Sequence, residues 1–559
     1  MVQRILRTLS GRIRGLHQAA YLLAGFTLAA QVLAIVRDRI FAHTFGAGVT
    51  LDVYYAAFKV PDLVFALVAS LVSAYVLIPR ISELDKAESK KLLSNCASFL
   101  LLVGGVLSLV AWVMMPTLLF ALFPNFEKLP EADAFVMLSR LLLLQPLLLG
   151  VSGIITSVTQ VHRRFMLFAL SPILYNAGII VGVLFFYSTF GVAGIGFGVI
   201  LGALLHLMVH IPFVHSKGLL PVPTIPSGKI MWSVVKDSIP RSLALSLGAV
   251  TTLFLTVIAG RIGDGSVAVF TLAGNIEAVP LALIGASYAT AAFPVLAQEA
   301  GKGRSEEFHN TLSVAARHII FWSAIATVFI IVFRAHIVRV LLGSGAFDWN
   351  ATRLTAALLA VLVVGLAAQG FILLASRAFY AAKRSWMPLI IQSFGLLASC
   401  GGALIALAIV ASGSTTLFFL ESLLRVEGVS GTDVLLIALG ATAGQLLMGF
   451  VALITLSQVA KGLVGPLVRP LFEALGASIV GGGAAYLSLS LMGNIAPLST
   501  LSSVFAQTVV AGMVGLVVTA GVLYALKNRE LIELVASVKK LTGSALPPSG
   551  TILNDRPNS

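Results

Sequence analysis

A chain of 559 residues with 58% hydrophobic and only 11% charged residues has too little polar surface to fold as a soluble domain. Its repeated apolar runs of about twenty residues match a bilayer core roughly 30 Å thick. The formal charge of +14 does not mark a nucleic-acid binder, because Lys and Arg stand in short clusters between apolar runs rather than in one stripe, and Cys96 and Cys400, both inside such runs, leave no disulfide framework or cysteine metal site.

The basic segment 1–16 carries Arg4, Arg7, Arg12 and Arg14 and leads into a run that ends in Arg37-Asp38-Arg39. A signal peptide would end in small residues, so this run reads as a first transmembrane helix. It is the first of about fourteen apolar runs along the chain. Six lie in an N-lobe at 17–218, and a Pro-rich cytoplasmic linker occupies 219–229. Six more form a C-lobe at 230–463, and two appended helices fill 464–526. In the tail, 527–559, Leu531, Leu534, Val535, Val538 and Leu541 form an apolar stripe beside Lys539 and Lys540, suited to an amphipathic helix, before a disordered end. Every second loop is basic, from Arg80, Lys86, Lys90 and Lys91 through Arg163 and Arg164 to Lys461. That alternation places both termini in the cytoplasm.

The turns also repeat. Phe45-Gly46-Ala47-Gly48 precedes a helix with Lys59-Val60-Pro61, and roughly 220 residues on, Gly263-Asp264-Gly265 precedes a helix with Glu277, Val279 and Pro280. Arg163-Arg164-Phe165 is echoed by Lys383-Arg384-Ser385 at a similar offset. An offset of six helices preserves orientation, so the expected fold is an all-α polytopic membrane protein. It has about fourteen transmembrane helices, in two parallel-repeat six-helix lobes plus a C-terminal pair.

Charges inside these helices mark candidate sites. Asp52, Tyr55, Lys59 and Asp62 recur at helical spacing on one face, close after Arg37 and Asp38. An ionised group at mid-bilayer costs about 2.5 to 3.5 kcal/mol, so these should face a polar cavity inside the bundle. In the seventh helix Asp237 and Arg241 stand one turn apart, either paired in the cavity or snorkelling at the cytoplasmic interface. In the eighth, Asn275 and Glu277 precede Pro280. Glu277 reads either as a proton-coupling carboxyl or as helix-helix glue. No GxxxxGK[ST], HExxH or GxSxG motif occurs, and the histidines have no metal-ligand spacing. The chain therefore reads as a transporter with no cofactor, not an enzyme.

The runs FGAGVTLDVYYAAFKVPDL, HRRFMLFALSPILYNAGII, PFVHSKGL and AFYAAKRSWMP resemble the MviN/MurJ lipid II flippase family of bacteria, within the multidrug/oligosaccharidyl-lipid/polysaccharide exporter superfamily. The resemblance spans roughly 20–525. It implies a V-shaped, alternating-access bundle in the bacterial inner membrane, serving peptidoglycan biosynthesis and cell shape. Its cargo would be an undecaprenyl-pyrophosphate glycolipid such as lipid II, and its partners membrane lipids and cell-wall polymerases. Arg37, Asp38, Asp52, Lys59 and Pro61 match the family pattern. Gln31, Phe65, Ser70 and Asn275 stand where the family carries arginine, arginine, glutamate and arginine. The resemblance points to Arg37, Lys59, Arg241, Gln31 and Asn275 as substrate-binding residues, and to Asp38, Asp52, Asp62, Asp237 and Glu277 as gate or coupling residues. Two other readings remain: export of another polysaccharide-lipid or an amphiphilic cation, and a non-transporting cell-envelope scaffold.

Overall fold

The computed structural model describes residues 16–72, 74–411, 415–495 and 500–541. In chain order the long helices are α1 (Leu16–Phe45), α2 (Val49–Glu83), α3 (Lys86–Leu122), α4 (Ala132–Val161), α5 (Phe165–Phe190), α6 (Val192–Ser216) and α7 (Gly228–Ile262). Then come α8 (Ser266–Gly301), α9 (Ser305–Leu341), α10 (Trp349–Ala381), α11 (Met387–Ala411), α12 (Val434–Ser457), α13 (Gly465–Ile495) and α14 (Leu501–Ala525). A tail helix, α15, runs over Arg529–Leu541. Thirteen helices among the described residues, α2 to α14, are long and apolar enough to cross a membrane, so the chain is an all-α polytopic membrane protein.

Proline sets where these helices bend. α2 is interrupted at Phe58 and restarts at Lys59. Pro61 has no N–H to bond the carbonyl of Ala57, so it is accommodated in the first turn of a new segment. The same happens in α4, which breaks at Leu143 ahead of Pro146. In α8 a widened turn, Leu281–Ala286, follows Pro280 directly.

Small residues decide which helices touch most closely. Gly178 and Gly182 on α5 lie against Gly202 and Gly198 on α6, with no room for a Cβ at any of the four. α1 packs on α5, α3 on α4, α7 on α11, α8 on α10, α11 on α12, and α9 on α13. The first half of the chain meets the second mainly where α2 packs on α7 and α8, and where α1 meets α8 and α9.

Two features escaped sequence reading. The Pro-rich linker is strapped along α3, with the amides of Val222, Thr224 and Ser227 donating to Ser94, Ser98 and Asn95 at 3.0, 3.0 and 2.6 Å. Helix α15 is anchored by a buried ion pair, Arg317 Nε of α9 to Glu530 Oε1 at 2.9 Å. Asn528 reinforces it, donating to Glu473 Oε2 of α13 at 2.6 Å. The apolar stripe expected in the tail is therefore only partly free: Leu531 packs on the bundle, while Leu534 and Val535 stay exposed. Residues 542–559, and with them the rest of the expected disordered end, lie outside the described residues.

Candidate functional site

The polar residues of α1 converge where α1, α5 and α8 meet. Arg37 donates from Nε and Nη2 to Asp38 Oδ1 at 2.9 and 2.7 Å, and from Nη1 to Asn176 Oδ1 of α5 at 2.9 Å. Asn275 of α8 donates to the other Asp38 oxygen at 2.9 Å. Asp38 is thus the junction of the network, buried and shared by both halves of the chain. A guanidinium held this way keeps donor capacity for an anion, but its geometry is fixed by its neighbours.

In the first turn after the α2 break, Lys59 and Asp62 are partly buried. Among the described residues, neither side chain has an ion-pair or hydrogen-bond partner. Lys59 is therefore the less committed cation of the site. Gln31 lies two turns before Arg37 on α1, partly buried and likewise without a side-chain bond among the described residues.

Asp52 does not join this group. The break at Phe58 separates it from Lys59 and Asp62, and its carboxylate reaches across to the start of α8. There it accepts from the amides of Gly265 at 2.6 Å and Ala268 at 2.7 Å. A side chain from one half thereby caps a helix of the other, with its negative charge at the positive end of the helix dipole. Arg39 does the converse, a role not foreseen from sequence. Its Nη1 donates to the last carbonyls of α9, Val340 O at 2.5 Å and Leu341 O at 3.4 Å, where positive charge is favoured. Between these two contacts the amide of Ala346 donates to His43 O at 2.9 Å. Gly46 and Gly265 both adopt left-handed conformations there, φ 62° and 82°. A Cβ on either would strike a carbonyl of the opposite half, Ala346 O or Ala47 O. This end of the seam, where α1 turns into α2, is closed by backbone contact.

At the opposite end Asp237 pairs across the seam with Arg80 of α2 at 2.7 Å. Arg80 also donates to Ser233 Oγ at 2.9 Å and to its carbonyl at 2.8 Å. Asp237 is 58% exposed, so this contact is solvated and weaker than the buried one. Arg241 sits one turn further into the bundle, partly buried. Beyond it Ser70 and Ser242 touch at 2.5 Å. The position where the resemblance implies a glutamate is thus a neutral α2–α7 contact.

Asn275 and Glu277 were grouped by sequence, but two residues on a helix face nearly opposite ways. Glu277 is buried on the far side of α8, where Gln369 Nε2 of α10 donates to it at 2.5 Å and to Gln445 Oε1 of α12 at 3.0 Å. No cation pairs with it among the described residues. Nor do the described residues include any group of His, Cys, Asp and Glu that could hold a metal ion.

The family model described as lipid II flippase MurJ matches residues 41–473. The chain belongs to the MurJ family. Its relatives include a probable lipid II flippase MurJ of Buchnera aphidicola, 26% identical over 379 residues, covering 66% of this chain and 74% of that one. Another, from Haemophilus influenzae, is 26% identical over 444 residues, covering 73% and 85%. Among solved structures, a lipid II flippase MurJ in an inward closed conformation superposes with a TM-score of 0.70 at 18% identity, over 91% of this chain and all of that one. An inward-facing MATE-family multidrug transporter of the MOP superfamily gives 0.62 at 20% identity, over 77% and 96%. These structural likenesses establish the fold. MurJ-type flippases are transporters rather than enzymes, and this chain is of that family.

Proposed function

We propose that this chain is a lipid II flippase that carries the undecaprenyl-pyrophosphate glycolipid from the inner to the outer leaflet by alternating access. Arg37 and Lys59 would take the pyrophosphate, with Gln31, Asn275 and Arg241 as further polar partners. The observation that carries the reading is a pair of cationic side chains at a polar seam between the halves of a MurJ-family bundle. A diphosphate-sugar headgroup cannot cross hydrocarbon unaided, and such a seam offers it charge-assisted donors.

The basic loops support an orientation with both termini cytoplasmic, the Arg80–Asp237 contact inside, and the Asp52 and Arg39 caps outside. In this arrangement Leu16–Phe45 is a fourteenth span, α1–α6 and α7–α12 are the two lobes, and α13–α14 are an appended pair. The turns support the repeat. Arg163 and Lys383, about 220 residues apart, share left-handed φ values of 56° and 57°. The following amides, of Arg164 and Arg384, each bond five residues back at 2.8 Å, to Thr159 O and Phe379 O. Cell-wall polymerases that consume the flipped lipid would be its partners.

The test is native mass spectrometry of the purified protein with lipid II and ordinary phospholipids as competitors, alongside rescue of cells depleted of their own flippase. Selective retention of lipid II together with rescue is expected. Retention no better than that of phospholipid, with no rescue, would sink the reading.

Glu277 suits a coupling role in this scheme, and Glu277→Gln isolates it, because a glutamine oxygen still accepts from Gln369. The variant is expected to keep lipid II binding while losing gradient-driven transport by about tenfold or more. Wild-type transport rates in proteoliposomes would leave Glu277 as structural glue only.

A further inference from the structure

Away from the seam, α3 and α4 enclose a membrane-facing groove of about 940 Å³. Its walls include Gly105, Leu109 and Met137, and Leu109 and Met137 are more than half exposed. One cation stands in this apolar setting, and its placement follows from a proline. Pro116 lacks the N–H that would bond the carbonyl of Trp112, four residues back in α3. Arg140 Nε of α4 donates to that orphaned carbonyl at 3.0 Å, and its guanidinium lies 4.5 Å over the Trp112 ring.

This contact fixes the plane of the guanidinium but uses only one of its five donors. Among the described residues nothing else bonds it, and no carboxylate lies within ion-pairing distance. Arg140 is two turns, about 12 Å, inside the start of α4, at a depth where a lipid-facing charge needs an anion. Asp133, on the same wall but two turns nearer the helix end, is exposed and, among the described residues, also without an ion-pair partner. The groove therefore presents positive charge deep and negative charge at its mouth.

We propose that this groove binds one phospholipid of the phosphatidylethanolamine class, with its phosphate on Arg140, its ammonium on Asp133 and an acyl chain along the apolar wall. In such a headgroup the phosphate lies next to the glycerol and the amine further toward water, the same order as the two side chains. Phosphatidylglycerol lacks the amine. Phosphatidylcholine has it methylated, with no donor for a carboxylate. The orientation proposed above puts the site in the outer leaflet; the chemistry of the groove does not depend on it.

Native mass spectrometry of the full chain with an equimolar mixture of the three phospholipids and lipid II tests this. Wild type is expected to retain phosphatidylethanolamine about tenfold over phosphatidylcholine, a preference that Asp133→Asn should remove, whereas Arg140→Gln, which takes away the phosphate contact that all three share, should lower retention of all three phospholipids. Asp133→Asn should make phosphatidylethanolamine and phosphatidylglycerol equivalent. Gly105→Leu should also displace the lipid by filling the groove, since nothing lies within 4 Å of a Cβ there, while leaving Arg140 and Trp112 untouched. Lipid II retention, read in the same spectra, should not change in any variant, which separates this site from the flippase reading. Equal retention of all three phospholipids by wild type, or retention unaffected by Arg140→Gln or Gly105→Leu, would overturn the proposal and leave only unspecific annular lipid.

Discussion

The Arg37→Ala, Lys59→Ala double variant is expected to bind lipid II at least a hundredfold more weakly than wild type and to fail to rescue flippase-depleted cells. Hydrogen bonds to charged groups contribute about 1.5 to 3 kcal/mol each, and the variant removes both cations proposed to meet the pyrophosphate. The two single variants should differ in kind. Lys59 has no bonded protein partner among the described residues, so Lys59→Ala should lower affinity with little change in melting temperature. Arg37 satisfies Asp38 and Asn176, so Arg37→Ala strands a buried carboxylate and should also destabilise the fold. Adding Asp38→Asn to Arg37→Ala should restore stability without restoring binding. Native mass spectrometry with lipid II and thermal melts read these separately. A double variant that still binds lipid II and supports growth would remove Arg37 and Lys59 from the site.

The membrane class and the positions of the helices were legible because they depend on local composition alone: a run apolar enough to leave water is apolar in any tertiary context. What could not be read was where a charge inside a helix points. Asp52 shares a helical face with Lys59 and Asp62 on paper, but the Pro61 break turns it toward amides of Gly265 and Ala268, more than 200 residues away. Backbone donors carry no residue signature, so no sequence pattern names them. Arg39 was passed over for the same reason: its partners are two helix-terminal carbonyls. Gln445 offers no motif either, and becomes visible only when α8, α10 and α12 are brought together around Glu277.

Asp52→Ala should unlock the end of the seam that the proposed orientation puts outside. The carboxylate accepts two amides in a buried setting, and leaving such groups unpaired costs about 2 kcal/mol, enough to shift a closed-to-open equilibrium about thirtyfold. Arg39→Ala acts on the same end, but its partners are carbonyls at a partly exposed helix terminus, and a loss of about 1 kcal/mol shifts the equilibrium only about fivefold. Gly265→Ala should act in the same direction by steric means, since its Cβ would strike Ala47 O. Spin labels at Val49→Cys and Ser344→Cys, in a Cys96→Ala, Cys400→Ala background, report the separation across this end. Each variant should add a longer distance, in the order Asp52 above Arg39. Transport should fall because a carrier held open to the outside cannot reload from the inner leaflet, while the Arg80–Asp237 contact at the other end stays formed. If Asp52→Ala keeps both the wild-type distance and the wild-type transport rate, the cap on α8 is packing and not a gate, and alternating access in this chain must turn on some other contact between the two halves.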